Sequence, residues 1–173
     1  EGQALPIYAE LRQVHPSPHM YYLKFGGQKI IGASPELLLR LRQGELETFP
    51  LAGTVKRGND ANEDRQLARK LLNDPKEIAE HNMLVDLHRN DIGKVSRFGT
   101  VKVRSLMDIK KFSHVQHISS EIVGIIDNKY DMFDALAAVM PAGTLSGAPK
   151  LESMKIIQRN EKEPRGPYGG ALG

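Results

Sequence analysis

The spacing of hydrophobic residues predicts a helix at the beginning of the chain. Ile7, Leu11 and Val14 recur at the interval of one helix face within the segment LPIYAELRQV. The segment HPSPH, residues 15–19, is then expected to end the helix, because proline disfavours helical geometry in the residue before it.

Alternating polar and apolar residues predict four strands after these prolines. MYYLKF and KIIGAS are expected to form two strands joined by the turn GGQ, which spans residues 26–28. Two further strands are expected around Gln43-Gly44, since leucine and charged residues alternate in LLRLRQGELE. A short polar turn between such segments is typical of a β-hairpin.

The middle of the chain changes to helical spacing. Leu67, Leu71 and Leu72 form one apolar stripe in NEDRQLARKLLND, and Asp74-Pro75 separates this helix from the next. Proline is favoured in the first turn of a helix, so PKEIAEHNMLVDLHRND is expected to begin a second helix at Pro75.

The last third of the chain mixes strands and helices. The region after Gly93 is rich in strand-forming residues, and YDMFDALAAVMP follows as a helix whose Phe133 is expected to face inward. Another helix is predicted to open between Ser146 and Pro149, and the turn-like tail RGPYGGALG is expected to stop within a strand. This order of segments indicates one α+β unit without repeats.

The composition supports one domain outside a membrane. The chain has 173 residues, of which 40% are hydrophobic, enough to bury the core of one ordinary domain. Its apolar runs fall short of the roughly 18 residues that a membrane span needs, and no secretory leader is visible. The absence of cysteine excludes disulfides and thiolate chemistry and is typical of a reducing compartment. We therefore expect a soluble, cytoplasmic protein without a membrane partner.

The net charge of +3 arises from scattered basic residues. Lys and Arg alternate with acidic residues in segments such as GNDANEDRQLARK, and tryptophan, which could stack on bases, is absent. A solvated surface is therefore favoured over a nucleic-acid interface, and no nucleic-acid partner is expected. The positive bias is compatible with a small anionic substrate. A non-catalytic basic binding module is the alternative class of function.

The helix that begins at Pro75 carries a candidate metal site. Glu77, Glu80 and His81 share one face, and two carboxylates one turn apart repel each other unless a cation lies between them. Oxygen ligands without thiols suit Mg2+, which takes one or two protein carboxylates. A di-iron site is disfavoured, because neither glutamate has a histidine three residues later. The alternative is an acidic helix face in contact with water.

A loop of small residues, PAGTLSGAPK, precedes the last predicted helix. Gly143 and Gly147 permit close approach of the backbone to a ligand, and the helix start between Ser146 and Pro149 favours anions. The segment is not a Walker loop, since no glycine directly precedes Lys150. A tight turn without a ligand is an equally open alternative.

Three further segments carry candidate chemistry. His114 and His117 lie three residues apart on a predicted strand and face opposite sides, so both cannot enter one pocket. Glu36 lies beside an apolar strand, where burial raises a carboxyl pKa toward neutrality and makes the group a proton donor. Gly53 and Thr54 in PLAGT offer polar contacts. The alternatives are structural histidines, a surface glutamate and a simple turn.

Together these segments resemble the chorismate-utilising enzymes, and among them the large subunits of anthranilate synthases. The matching blocks span nearly the whole chain: HPSPHMYYL, IGASPELL, PLAGTVKRG, DPKEIAEHNMLVDLHRNDIGKV, FSHVQHISS, PAGTLSGAPK and RGPYGGALG. The resemblance implies an α+β fold, part of a two-sheet antiparallel β-sandwich with helices packed outside. Residues 1–173 are then expected to be a partial chorismate-binding catalytic domain, incomplete at both ends and inactive as an isolated chain.

The resemblance also implies a role for each candidate residue. The implied reaction is a Mg2+-dependent lyase reaction that converts chorismate and ammonia to anthranilate and pyruvate in tryptophan biosynthesis. Glu36 matches the acid that protonates the leaving hydroxyl, and His117 matches a catalytic histidine near the ring. Glu77 and Glu80 match the Mg2+ ligands. The matched substrate-contacting positions are Gly53, Thr54, Thr144 and Tyr168.

Partners follow from the same resemblance. It implies a glutamine amidotransferase subunit that supplies ammonia, and tryptophan as a feedback inhibitor. The stretch expected to contact this effector retains Pro18, His19 and Met20, with His19 where tyrosine is usual. Ala52 stands where aminodeoxychorismate synthases carry a nucleophilic lysine, which argues against that branch. An aminodeoxychorismate- or aminodeoxyisochorismate-type synthase is the alternative activity.

Overall fold

Groups of antiparallel strands and groups of helices follow one another along the chain. The structure is a computed structural model that describes residues 3–173. Within this range, none of the helices is both long and apolar enough to cross a membrane. In chain order the elements are α1 (Ala4–Val14), β1 (His19–Phe25), β2 (Gln28–Ser34), β3 (Arg40–Arg42), β4 (Glu45–Thr48), β5 (Leu51–Lys56), α2 (Ala61–Leu71), α3 (Pro75–Gly93), β6 (Lys102–Lys111), β7 (Val115–Ile125), α4 (Met132–Val139), α5 (Gly143–Ser146) and α6 (Lys150–Asn160).

The first sheet is the hairpin of β1 and β2. The two strands are antiparallel and pair from His19 with Ser34 to Phe25 with Gln28. Helix α1 packs against both strands. The helix and the hairpin predicted for the first part of the chain are therefore confirmed.

Strand β7 organises the second sheet. Strands β4 and β5 pair with different halves of β7 along one edge, and β6 pairs along the other edge, all antiparallel. Strand β3 extends the sheet from β4. Gln43 and Gly44 connect β3 to β4 with φ angles of 51° and 82°, as a tight two-residue hairpin turn requires. The predicted α+β class with antiparallel sheets is confirmed.

Aspartate side chains begin the two helices that follow β5. Asp60 accepts hydrogen bonds from two backbone N–H groups at the start of α2. Asp74 accepts those of Lys76 and Glu77 at the start of α3. These caps satisfy N–H groups that have no partner within the helix. The cap of α3 fixes the backbone of Glu77 in the first turn of the helix.

Helix α3 packs against the sheet and against the helices that follow it. It contacts β5, β6, β7, α4 and α5. Its buried face includes apolar residues and also His81, His88 and Asp91. The largest core cluster joins this face to the sheet and to α4, and its buried members are Leu39, Leu46, Val85, Ile92, Val95, Ile122, Ala135 and Val139.

Three local expectations are wrong. Phe133 is exposed, because α4 turns Ala135 to the core and Phe133 lies about 200° away around the helix. His114 lies outside the strand, since β7 begins at Val115. The tail RGPYGGALG makes turns in place of a strand, with Tyr168 N–H donating to the Arg165 carbonyl.

We expect Ile122→Ala to lower the free energy of unfolding by about 2 to 5 kcal/mol, because this fully buried side chain would leave a cavity. Urea unfolding followed by circular dichroism measures the difference. Ile156→Ala is the matched control, at a side chain that is 56% exposed on α6, and should change the free energy by less than about 1 kcal/mol. Equal losses in the two variants would contradict this core.

Candidate functional site

Strands β5 and β7 bring Gly53, Thr54 and His117 together. Thr54 pairs with His117 across the ladder, and the register shifts between Ala52 and Thr54. Gly53 lies at this bulge with φ of 71°, a conformation that glycine adopts at little cost. His117 Nδ1 lies 3.0 Å from Thr54 Oγ1 and 3.1 Å from the Gly53 carbonyl oxygen.

These contacts determine the tautomer of His117. A carbonyl oxygen only accepts hydrogen bonds, so His117 Nδ1 carries the proton and donates it to the Gly53 oxygen. In the neutral ring the lone pair therefore lies on Nε2. The backbone at the bulge thus leaves His117 ready to accept a proton through Nε2.

Phe112 and Arg57 hold the loop beside His117. The Phe112 and His117 rings meet edge to face with centroids 5.4 Å apart. The Phe112 carbonyl accepts a 2.7 Å hydrogen bond from Arg57 Nη1, and Arg57 also pairs with the buried Asp64 carboxylate. The hydrogen bonds from Arg57 and from the Gly58 N–H hold the pKa of Asp64 well below its usual range. The carboxylate therefore stays charged and keeps Arg57 in place.

Glu77 of α3 reaches the same corner of the sheet. A methyl group placed on Gly53 would lie 3.1 Å from Glu77 Oε2 and 3.2 Å from side-chain atoms of Ile118 and Leu71. The absence of a side chain at Gly53 thus lets the Glu77 carboxylate approach the β5 backbone. Glu80, about one turn further along α3, is exposed.

Glu77 and Glu80 fit the donor chemistry of Mg2+. This ion commonly takes one or two protein carboxylates and completes its shell with water and substrate oxygens. Within residues 3–173, no group of three or more Asp, Glu or His side chains is arranged to hold a metal ion. His81 does not join the two glutamates, because it is fully buried and its Nε2 lies 2.7 Å from Ser120 Oγ on the sheet.

Glu36 lies in the segment that follows β2. Its backbone N–H donates to Ser34 Oγ at 3.2 Å, and Thr144 Oγ1 donates to Glu36 Oε2 at 3.4 Å. The other oxygen, Oε1, is buried without a hydrogen-bond partner among the described residues. Burial raises the pKa of Glu36, and the hydrogen bond from Thr144 partly opposes this shift. Burial of the carboxyl group therefore favours its protonated form over the carboxylate.

Thr144 belongs to the short helix α5, which lies directly on α3. A methyl group placed on Gly143 would lie 1.9 Å from Leu87 Cδ2, so a side chain at this position would have to displace the buried Leu87 side chain. Close packing of α5 on α3 places Thr144 beside Glu36. The predicted small-residue loop is therefore a short helix, and Gly143 permits its approach.

Tyr168 lies near the other side of α5. A methyl group on the neighbouring Gly169 would lie 3.5 Å from Leu145 Cδ1. The Tyr168 side chain is 64% exposed, and the Arg165 guanidinium lies 5.6 Å from the centre of its ring. The structure brings the tail to α5 without burying Tyr168.

The predicted effector residues open β1. Pro18 and His19 are exposed, and Met20 is half-buried. His19 pairs with Ser34 in the first hairpin, and Ser34 lies two residues before Glu36. The effector stretch and the Glu36 segment are thus connected through one hairpin, and the effector role stays a prediction.

The structure collects the predicted site residues into two groups. Gly53, Thr54, Glu77 and His117 converge at the corner of β5, β7 and α3. Glu36 and Thr144 meet between the β2 segment and α5. Glu80 and Tyr168 are exposed at the surface.

Sequence reasoning missed several buried polar residues, among them His88 and Thr48. His88 Nδ1 lies 2.7 Å from Thr48 Oγ1, and burial lowers the pKa of His88 to about 4. The signal was present in the spacing, because His81, Leu84 and His88 fall on one helix face. Polar residues within an apolar stripe mark positions where a helix buries a specific contact.

His88 should make folding stability depend on pH. The pKa of His88 is about 4 in the folded protein, below the ordinary value of 6.5, so the unfolded state binds more protons between these values. The stability from burying the neutral ring is complete above pH 6.5 and is lost as the pH falls toward 4. We expect this loss to be about 1 to 3 kcal/mol.

Urea unfolding at several pH values between about 4.5 and 7 measures this effect. His88→Gln should flatten the dependence relative to the wild type, and His15→Gln, at an exposed histidine, should leave it unchanged. The same slope in the wild type and in His88→Gln would refute the assignment to His88.

The sequence is similar to those of known proteins. The sequence model of the family described as chorismate binding enzyme matches residues 1–173. Anthranilate synthase component 1 of Leptospira biflexa is 68% identical over 174 residues, covering 100% of this chain and 38% of that protein. The protein of the same name from Acetivibrio thermocellus is 58% identical, covering 96% of this chain and 34% of that protein.

Solved structures share the fold. The crystal structure of anthranilate synthase component I from Streptococcus pneumoniae TIGR4 matches with a TM-score of 0.90 and 43% identity, covering 100% of this chain and 38% of that one. MenF, the menaquinone-specific isochorismate synthase from Escherichia coli, matches with a TM-score of 0.74 and 28% identity over 84% of this chain and 33% of that one. The chain spans little more than a third of the length of these relatives. It belongs to the family of chorismate-binding enzymes.

Proposed function

We propose that the chain is part of an anthranilate synthase large subunit, a lyase that converts chorismate and ammonia to anthranilate and pyruvate. The convergence of Gly53, Thr54, Glu77 and His117 carries this proposal, because it combines anion contacts, a carboxylate ligand and a proton acceptor. Relatives named anthranilate synthase component 1, with 68% and 58% identity, support it. Residues 1–173 then form part of the chorismate-binding catalytic domain.

Glu36 is the proposed acid for loss of the ring hydroxyl. Hydroxide is a poor leaving group, so the oxygen must be protonated as the bond to carbon breaks. Burial favours the protonated carboxyl group, and Thr144 binds Oε2, so Oε1 is the oxygen that carries the transferable proton. The hydroxyl leaves as water while the ammonia nitrogen attacks the ring.

His117 is the proposed proton acceptor for the second half of the reaction. The Gly53 carbonyl keeps the proton on Nδ1, so Nε2 can take the proton from the aminated ring carbon. The electrons of that C–H bond form a ring double bond as the C–O bond to the pyruvyl group breaks. Loss of pyruvate makes the ring aromatic, which favours this step.

Glu77 and Glu80 are the proposed Mg2+ ligands. When bound, the ion supplies positive charge that neutralises the ring carboxylate of chorismate and the repulsion between the two glutamates. Gly53 and Thr54 are proposed to orient the same carboxylate through the backbone and the hydroxyl group. Thr144 and Tyr168 are proposed to contact the rest of the substrate.

The proposed activity implies two partners for the whole protein. A glutamine amidotransferase subunit would release the ammonia that attacks the ring, and tryptophan would bind as an inhibitor where Pro18, His19 and Met20 open β1. The pairing of His19 with Ser34 gives this effector stretch a backbone connection to the Glu36 segment.

An aminodeoxychorismate-type activity is less well supported. Ala52 is buried on β5 and pairs with Ile118, so this position has a methyl group where that activity uses a lysine amine. Without such an amine, ammonia is the nucleophile that the site accommodates. The aromatic product distinguishes the two activities, since only the anthranilate reaction also releases pyruvate from the aminated ring.

Glu80→Ala should abolish Mg2+-dependent conversion of chorismate to anthranilate, because it removes one of two proposed ligands. The assay uses the protein expressed from its complete reading frame, with ammonium salt as the nitrogen source and anthranilate fluorescence as the readout. Chelation of Mg2+ should stop the wild-type reaction. Asp86→Ala, at an exposed carboxylate on the same helix, is the control and should retain activity.

The products decide between the remaining activities. Anthranilate and pyruvate in equal amounts support the proposal, whereas an aminated ring that retains its pyruvyl group would assign the alternative activity. Full activity of Glu80→Ala with Mg2+ as the only metal would refute the ligand role of Glu80. An absence of any reaction with chorismate in the wild type would refute the proposed function.

A further inference from the structure

Four polar side chains are buried together beneath the contact between Glu36 and Thr144. We call Thr48, His88, Asp91 and Lys150 the buried polar cluster. Thr48 comes from β4, His88 and Asp91 come from α3, and Lys150 begins α6. Together with Leu38, Val139 and Ala142, members of this cluster line one small cavity, which places them in a single continuous region.

Lys150 and Asp91 form the charged half of the cluster. Lys150 Nζ lies 2.6 Å from Asp91 Oδ2 and donates to the Val139 carbonyl at 2.8 Å. Both side chains are almost fully buried, with 10% and 6% of their surfaces exposed. Lys94, which is 55% exposed, pairs with the other Asp91 oxygen from the solvent side. Lys150 thus ties the end of α4 and the start of α6 to α3.

Thr48 and His88 form the neutral half of the cluster. Thr48 Oγ1 donates its single proton to the Leu38 carbonyl at 2.9 Å and therefore accepts from His88 Nδ1 at 2.7 Å. This pair of bonds fixes the backbone of Leu38, two residues after Glu36. Burial lowers the pKa of His88 to about 4, so the ring stays neutral beside Lys150.

The energetics of such a cluster indicate that it fixes the arrangement of the segments around it more than it adds stability. Taking an ion pair out of water costs about as much as the two charges regain, so a buried pair is weak evidence for added stability. A polar cluster with directional bonds nevertheless permits one arrangement of the segments it joins. Here the joined segments are the backbone at Leu38, two residues after Glu36, and the ends of α4 and α6, which flank the helix α5 that carries Thr144.

We propose that the buried polar cluster positions Glu36 against Thr144, with Lys150–Asp91 holding the α5 side and His88–Thr48 holding the Glu36 side. The consequence for catalysis rests on the proposed function of Glu36 as the acid. Lys150 is then a positioning residue, because its ammonium group is bound to Asp91 and to the Val139 carbonyl. The lysine of PAGTLSGAPK therefore holds this segment in place and does not bind an anion at the start of α6.

Lys150→Met and Thr48→Val test the two halves separately in the protein expressed from its complete reading frame. Each should lower kcat roughly 10- to 100-fold with a smaller change in KM, because displacing the acid slows the chemical step more than it weakens substrate binding. Each should also move the basic limb of the kcat/KM profile to lower pH, since water reaching Glu36 favours its charged form. Lys155→Met, the same change at an exposed lysine of α6, should leave both unchanged.

Hydrogen exchange read by mass spectrometry tests the positioning without relying on activity. Lys150→Met should speed exchange in residues 142–146, and Thr48→Val should speed it in residues 36–39, with the remaining peptides unchanged. Thr48→Val removes one hydroxyl at nearly constant volume, so we expect it to disturb the fold less than Lys150→Met, which removes the nearest cation of the buried Asp91 carboxylate.

The activity assay and the hydrogen-exchange experiment together distinguish failure of the positioning proposal from failure of the proposed function. Unchanged exchange in these peptides, or equal acceleration throughout the chain, would overturn the positioning. A wild type that does not convert chorismate would refute the proposed function while the exchange result still decides the role of the cluster. An active wild type whose Thr48→Val variant keeps its kcat and pH profile would also overturn the positioning.

Discussion

The packing of α3 on β5, β7 and α5 is the constraint on which the candidate site depends. The first turn of this helix brings Glu77 to the bulge at Gly53, and its later turns bring His88 and Asp91 beneath the Glu36 segment. The positions of both groups of site residues therefore depend on the position of α3. A shift of α3 along the sheet would disturb the positions of Glu77 and of the Glu36 segment at the same time.

Glycine sets how closely the other elements approach this helix. Gly53 leaves room for Glu77 beside β5, and Gly143 leaves room for Leu87 beneath α5. Gly53 approaches Glu77 in the first turn of α3 and Gly143 approaches Leu87 further along it, so the helix is held at a short distance from both neighbours. Such close contact favours a fixed site geometry, since packed surfaces have few alternative arrangements.

The sequence predicted the order and class of most elements, because hydrophobic spacing and turn residues are local signals. It also placed Glu36, Glu77 and His117 among the candidates through the family resemblance. The burial of Lys150 and the contact of Thr48 with His88 could not be predicted in this way, because they join segments far apart in the chain. Phe133 shows the same limit, since its orientation depends on which face of α4 meets the core.

Strand β7 has a consequence for how the chain folds. Leu46 pairs with Gly124, and Leu51 pairs with Ser119, so the edges of β4 and β5 that β7 will cover have no partner until about 70 to 80 further residues have been made. At about 5 to 20 residues per second, these strands wait for several seconds on the ribosome with apolar side chains uncovered. Pairing over such separations is also slow after release. Until β7 is made, these strand edges are therefore open to pairing with other chains.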